Sequence, residues 1–428
     1  MIFNPAVSQK NSTEKPASTW KWIAVYLLAL LPQISTAEIH IGASEQEADV
    51  TVGCLFPLSG RGGQYGRDSA VGIQLAFEHL AKQTQKKPAI RVLIEDSRSK
   101  ASRATRLVRN FVKIHNARFI CGVVNSAIAA QVLRIAAEEK AFFIGTDHAS
   151  SSLSQPPSPY YFRVNNNSRQ SMQAAARYIH EHYDPGAAGK PPLRISYIGP
   201  DYDYGYQIWQ DLRAELEQLK IPYEIVTALW PRLSQPDYSH YIQALMEQPT
   251  DLIVNALWGG DLVAFVQQAR QARLFQHAEF ANFDTGGNYE VLAALGSDLP
   301  LGMILSSRHH NNWPDTDYNR WFVNRFHQIT GRYPSYAAEG AYAGILAIAQ
   351  TLKKTGPVAD DSTIRQALST LTMKLPEDPD GFESYMDPTS HQIQQVIAIG
   401  KVVINPDYPP ATRMLGDWSV YQPVQIPH

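Results

Sequence analysis

Val50-Thr51-Val52-Gly53-Cys54-Leu55-Phe56-Pro57-Leu58-Ser59-Gly60, followed at once by Arg61-Gly62-Gly63-Gln64-Tyr65-Gly66, decides how the chain is read. An apolar run of strand length breaks at Pro57 into a segment rich in Gly and Ser. From Ser69 the spacing of Val71, Ile73, Leu75, Ala76 and Leu80 turns helical. The stretch predicts a β-strand, a loop and a helix. In an open α/β sheet ligands bind beyond the carboxyl ends of the strands, so the expected loop from Leu58 to Gly66 is the first place to look for a site. It does not fit a phosphate cradle. No Lys stands where a Walker loop needs one, and Gly60, Gly62 and Tyr65 match the dinucleotide spacing only loosely.

The remainder of the chain repeats this unit. Strands are expected at Ile90–Asp96, Arg118–Val124, Ala141–Ile144 and Tyr160–Val164, with helices at Ala101–His115 and from Ala127 to Glu139 between them. A second series follows a helix at Ser168–His182 and a Gly/Pro-rich loop at Gly186–Pro192. It runs through strands at Arg194–Ile198, Tyr223–Ala228, Leu252–Asn255 and Glu279–Asn282. Strand and helix alternating over short loops predict parallel sheets covered on both faces. The fold class expected is therefore α/β, with two doubly wound parallel-sheet lobes. A strand at Met303–Ser307, helices at Thr316–Thr330 and Tyr336–Lys354, and a strand-like tail around Ile397–Ile404 come after both series, so the chain should recross between lobes and form a hinge of crossover strands.

Composition agrees. A chain of 428 residues exceeds one ordinary core and fits two domains. With 18% charged and 44% hydrophobic residues it reads as globular, and a formal charge of −2 gives no basic surplus for a nucleic-acid partner. Lys10, Lys15 and Lys21 precede an apolar run from Trp22 to Leu31, then Pro32 and the small-residue site Ser35-Thr36-Ala37. Residues 1–37 thus read as a signal peptide cleaved after Ala37, since about ten apolar residues are too few to span a bilayer. The two cysteines, Cys54 and Cys121, fall on expected neighbouring strands. A disulfide and a pair of buried thiols both remain open. No metal site or cofactor is expected, because no His accompanies the thiols at ligand spacing.

Several segments together carry a resemblance. Gly53–Gly60 with Gln64-Tyr65-Gly66, Cys121–Ser126, Asp203-Tyr204-Gly205 and Gln267-Gln268-Ala269-Arg270 stand in the order and spacing seen in periplasmic solute-binding proteins of the leucine/isoleucine/valine-binding type, the receptors of ABC importers. The likeness spans nearly all of Asp49–Lys401. Ala337–Tyr342, Gly381-Phe382, Asp387-Pro388 and His391 lean toward the branch that binds short amides and urea. The resemblance implies an amino-terminal lobe of residues 49–164 plus 303–383 and a second lobe of 165–302 plus 384–428. It further implies a ligand sealed between the lobes when they close, then passed to the permease subunits.

By the same resemblance, amino-acid binders hold the ligand carboxylate with hydroxyls and backbone N–H groups at strand ends that here read Asn125-Ser126-Ala127 and Asp147-His148-Ala149. Hydroxyls are missing at Ala127 and Ala149, and Asp147 adds negative charge, so the ligand implied is an amide, urea, an amino-acid-like molecule or something more apolar. Trp258 matches an aromatic wall, and Asp284 the acid that meets a ligand ammonium. The candidate ligand-binding residues are Tyr65, Asn125, Ser126, Asp147, Ala149, Tyr204, Trp258 and Asp284.

Each has a plainer role available. Trp258 could be core, Asp284 a helix cap, and Tyr65 could pack on its own loop. Asp147 and His148 lack a Ser or Cys nucleophile with a fixed partner, which leaves them as a solvated loop or polar cleft lining. His309-His310 reads as a surface loop. The function expected is that of a non-enzymatic exported receptor. The alternatives are an amide-type sensor acting on a regulator, against which the signal segment counts, and an exported hydrolase, against which the missing nucleophile counts.

Overall fold

The computed structural model describes residues 38–83, 88–183 and 189–424, so the expected signal peptide and part of the Gly186–Pro192 loop lie outside the described residues. The first sheet contains β1 (Ile39–Gly42), β2 (Val50–Phe56), β3 (Ile90–Asp96), β4 (Phe119–Gly122), β5 (Phe142–Gly145) and β6 (Tyr161–Arg163). Its order is β1-β3-β2-β4-β5-β6, all parallel except the edge strand β1, which pairs antiparallel with β3. Alternation along β2 sends Val50, Val52, Cys54 and Phe56 to one face and Leu55 to the other. Helices α1 (Gly63–Ala81), α2 (Ala101–Lys113) and α3 (Ser126–Glu138) cover those faces.

After α4 (Ser168–Tyr183) the second sheet forms from β7 (Leu193–Ile198), β8 (Tyr223–Leu229), β9 (Leu252–Asn255), β10 (Glu279–Asn282) and β11 (Ile304–Ser306). Between them run α5 (Asp203–Gln218), α6 (Ser239–Met246), α7 (Gly259–Gln271) and α8 (Tyr289–Leu295). The chain then returns to the first lobe with α9 (Asp317–Thr330), α10 (Tyr336–Thr355), α11 (Asp361–Ser369) and a small sheet of β12 (Thr372–Met373), β13 (Ser384–Met386) and β14 (Ile393–Gln394). It ends on β15 (Ile397–Ile404) and β16 (Arg413–Tyr421), which complete the second sheet in the order β16-β15-β11-β10-β9-β7-β8. Each sheet separates two apolar cores, so both are doubly wound.

Three details differ from the sequence reading. Residues 303–306 were expected in the first lobe, but β11 pairs in parallel with β10 and extends the second sheet. The return to the second lobe, expected after Glu383, comes later: Met386 and Ile393 bury their side chains in the first lobe's core beside Met373. The expected loop at Leu58–Gly66 is shorter, because α1 begins at Gly63. Gly66 permits this, since a Cβ there would stand 2.2 Å from Pro57 O.

The cysteine question is resolved as a disulfide. Cys54 and Cys121 are register partners on β2 and β4 with Cα atoms 4.5 Å apart. Crossover segments pass between the lobes after β6, after β11 and after β14. The first and last run side by side: Arg163 bridges Gln392, Asn167 Nδ2 donates to Gln392 Oε1, and Gln392 Nε2 donates to Asn165 O.

Candidate functional site

The carboxyl ends of the parallel strands of both sheets meet around one cavity of about 20 Å³. Small-molecule sites ordinarily measure about 300–1,000 Å³, so the strand ends stand nearly closed on one another here. Every lining residue but one follows a strand end: Val124 and Ser126 after β4, Asp147 and Ala149 after β5, Tyr202 and Tyr204 after β7, Trp258 after β9, Thr285 after β10 and Arg308 after β11. Tyr336, in the first turn of α10, completes the wall.

The backbone is bent to reach this place. Val123, just beyond β4, has φ 69°, a left-handed conformation that a β-branched residue rarely adopts. His148 holds it there. Its Nδ1 lies 2.8 Å from Val123 O and its Nε2 2.7 Å from Tyr161 Oη, while its ring stacks on Phe143 and Tyr161. Burial pushes the imidazole down to about 3, and Arg163 adds to the effect, so His148 is a neutral prop rather than a base. Arg163 itself is fully buried and donates to the carbonyls of His148 and Ser150, fixing the strand-end segment that carries Asp147 and Ala149.

On the opposite lobe Asn282 does the comparable work. Its Oδ1 accepts from the N–H groups of Thr285 and Gly286, and its Nδ2 donates to Leu257 O, which ties the end of β9 to the end of β10. Trp258, at the N-cap of α7, donates from Nε1 to Tyr202 Oη at 3.1 Å.

The strongest charges in the site belong to Arg308 and Asp284. Arg308 Nη2 donates to Asp284 Oδ2 at 2.6 Å, and its Nε reaches Oδ1 at 3.4 Å. Tyr204 Oη donates to Oδ2 at 2.7 Å and Ser171 Oγ to Oδ1 at 2.8 Å. Burial alone would push the Asp284 carboxyl up, but the charge and hydrogen bonds of Arg308, with Tyr204 and Ser171, hold it below its usual value. Arg308 also donates from Nη1 to Asp147 O in the other lobe, and its guanidinium lies 5.0 Å from the Tyr336 ring centre.

The expected site residues are distributed unevenly around this cavity. Ser126, Asp147, Ala149, Tyr204 and Trp258 line it together. Asn125 caps α3 instead, accepting from Ile128 N–H at 3.1 Å. Tyr65 stands behind Trp258 and Tyr336, in ring contact with both, and donates to Glu290 Oε1. Asp284 lies behind the wall with both oxygens engaged. His309 and His310 are buried rather than on a surface loop, and burial pushes them down to about 4 and about 3.

Arg308, Tyr336, Tyr202 and Thr285 were not expected. The signal for Arg308 was present, because it follows a readable strand as the other site residues do. Assigning that strand to the wrong lobe hid its end.

A family model described as periplasmic binding protein matches residues 49–407. The Leu/Ile/Val-binding protein homolog 8 of Brucella abortus (strain 2308) is 26% identical over 286 residues, 65% of this chain and 66% of the relative, just under two thirds of its length. Among solved structures, a solute-binding protein of an ABC transporter from Rhodopseudomonas palustris BisB5, in complex with 3,4-dihydroxybenzoic acid, superposes with a TM-score of 0.76. It is 19% identical, covering 88% of this chain and 98% of that one. A leucine-binding protein from Thermotoga maritima MSB8 superposes with a TM-score of 0.71 at 16% identity, covering 87% and 99%.

Proposed function

Because the chain belongs to the periplasmic binding protein family, we propose that it is the solute receptor of an ABC importer and that its ligand is a small aromatic acid. It captures the ligand between two lobes and hands it to the permease when they open. Its place is the periplasm, and residues 1–37 serve as the export signal. The buried Cys54–Cys121 disulfide supports that compartment, because such bonds persist where the surroundings are oxidising.

One observation carries the ligand class: Asp284, the acid that the amino-acid reading assigns to a ligand ammonium, is already occupied by Arg308, Tyr204 and Ser171. An ammonium could reach it only by breaking a buried ion pair, at a cost of about 3–5 kcal/mol. The cavity offers instead the flat faces of Trp258, Tyr202, Tyr204 and Tyr336, which suit an aromatic ring. Arg308, Ser126 and Thr285 supply donors for an anionic group, and Thr285 Oγ1 has no protein partner. The dihydroxybenzoate held by the Rhodopseudomonas protein supports this choice.

The receptor has no catalytic role in this reading. His148 commits both ring nitrogens to Val123 and Tyr161, so it is not free to activate Ser126. The sensor alternative lacks a comparable supporting observation.

A ligand panel tests the proposal. Benzoate and 4-hydroxybenzoate should raise the melting temperature and bind in calorimetry, whereas L-leucine, urea and acetamide should do neither. Binding of L-leucine or of an amide without binding of either aromatic acid would overturn the ligand class. The same ligand should leave Asp284→Asn protein with weakened affinity through a misplaced Arg308, and thermal melts would show whether that variant folds.

A further inference from the structure

Asp147 lines the cavity with its side chain wholly buried. Its Oδ2 accepts from Thr146 Oγ1 at 2.7 Å, while Oδ1 has no partner. Among the described residues no cation pairs with this carboxyl. Arg308, from the segment after β11, donates to the backbone carbonyl of Asp147 and pairs with Asp284 rather than with the Asp147 carboxyl.

The other elements packed around it add no positive partner. From α10 come the neutral Tyr336 and the buried Glu339, behind which stand Glu377 and Asp378. Arg163, at the end of β6, is spent on the carbonyls of His148 and Ser150 and on Ser154, and His148 is neutral. Across the cleft, Glu290 meets Tyr65. A carboxylate buried without a cation is costly, and a neighbouring acid raises the cost further.

We propose that Asp147 enters the closed cleft as a carboxylic acid, so that this receptor takes up a proton as it captures its ligand and offers an O–H donor to an acceptor on it. The proposal rests on the aromatic-acid reading for the identity of that acceptor. It also removes the negative charge that the sequence alone would set in the site. Burial, only partly offset by Thr146 and Arg308, pushes the carboxyl up to about 7.

The closed state holds more protons than the open one, in which water reaches the carboxyl and its ordinary value of about 3.9 applies. This contribution to closure is fully present below the open-state value of about 3.9, falls as the pH rises from there, and is gone above about 7.

Calorimetry with 4-hydroxybenzoate as probe, in two buffers of different ionisation enthalpy, counts the protons. Wild type should take up protons on binding, and its affinity should be about tenfold weaker near pH 8 than near pH 6. Asp147→Asn keeps the shape and a donor but does not titrate. It needs no proton to be neutral, so near pH 6 it should bind at least as tightly as wild type, lose Asp147's share of the uptake and lose most of the pH slope. Glu290→Gln, which removes the other carboxyl at the lobe junction, should retain that share.

No uptake by wild type, or an unchanged slope in Asp147→Asn, would overturn the proposal. Should Asp147→Asn fail to fold, the wild-type and Glu290→Gln counts decide, and loss of all uptake in Glu290→Gln would also overturn it. If 4-hydroxybenzoate does not bind but L-leucine or acetamide does, the ligand class fails. The same count made with that binder then judges Asp147 separately.

Discussion

Tyr65 Oη donates to Glu290 Oε1 across 2.6 Å, and the two residues come from different lobes, Tyr65 from α1 and Glu290 from α8. The same ring contacts Trp258 of the second lobe and Tyr336 of the first. A Cβ on Gly259, which has φ 52°, would stand 3.0 Å from Tyr65 Oη, so the lobes meet here at close range. The contact joins the lobes beside the cavity without lining it, and closure holds through protein as well as through ligand.

Removing that hydroxyl should therefore weaken capture from outside the ligand's own shell. Tyr65→Phe keeps the ring contacts and deletes one hydrogen bond, worth about 1.5 kcal/mol or roughly tenfold in affinity. Small-angle scattering of the free protein should show a larger radius of gyration than wild type, and calorimetry with the bound aromatic acid should show the weaker affinity. Unchanged affinity together with an unchanged radius would show that the contact does not hold the lobes.

The disulfide should act on folding rather than on binding. Cys54 and Cys121 are 67 residues apart in sequence and both fully buried, and closing a loop of that length stabilises by roughly 4 kcal/mol in the chain-entropy account. Cys54→Ala/Cys121→Ala protein should melt several degrees lower and bind with unaltered affinity. A reductant added to folded wild type should leave the bond intact until the protein unfolds. Rapid reduction under native conditions would contradict the burial.

What could be read from the sequence follows a physical division. Strands such as β2 and β9 announce themselves because both faces are buried and the apolar run is continuous. The two-lobe plan follows from their order. Boundaries were harder to read. β11 is a strand of only three residues, two of them apolar, and only its pairing with β10 assigns it to a lobe, a long-range fact that local periodicity does not carry.

The site was legible where the rule of strand ends applied, giving Ser126, Asp147, Ala149, Tyr204 and Trp258. It failed for Asp284, because nothing near that residue in sequence shows that Arg308, 24 positions on, meets it in space. The burial of Asp147 was hidden for the same reason, since it depends on α10 arriving from nearly two hundred residues away.

That arrival depends on one residue. A Cβ added to Gly340 of α10 would stand 2.0 Å from Thr146 O and 3.3 Å from Asp147 Oδ1, the first being backbone that cannot swing aside. Gly340→Ala should push α10 away from the end of β5, with an overpacking cost of about 1–3 kcal/mol that exceeds the roughly 0.5–1 kcal/mol a helix gains from replacing glycine by alanine. Thermal melts should show the loss of stability. Calorimetry should show weaker binding of the aromatic acid, because the displaced segment carries Asp147. Gly260→Ala is the matched control: Gly260 lies in the first turn of α7 beside Trp258, yet a Cβ there meets nothing within 4 Å, so this variant should melt no lower than wild type and bind equally well. If Gly340→Ala matched Gly260→Ala in both measurements, the close seating of α10 on the end of β5 would not be what positions Asp147 in the cleft.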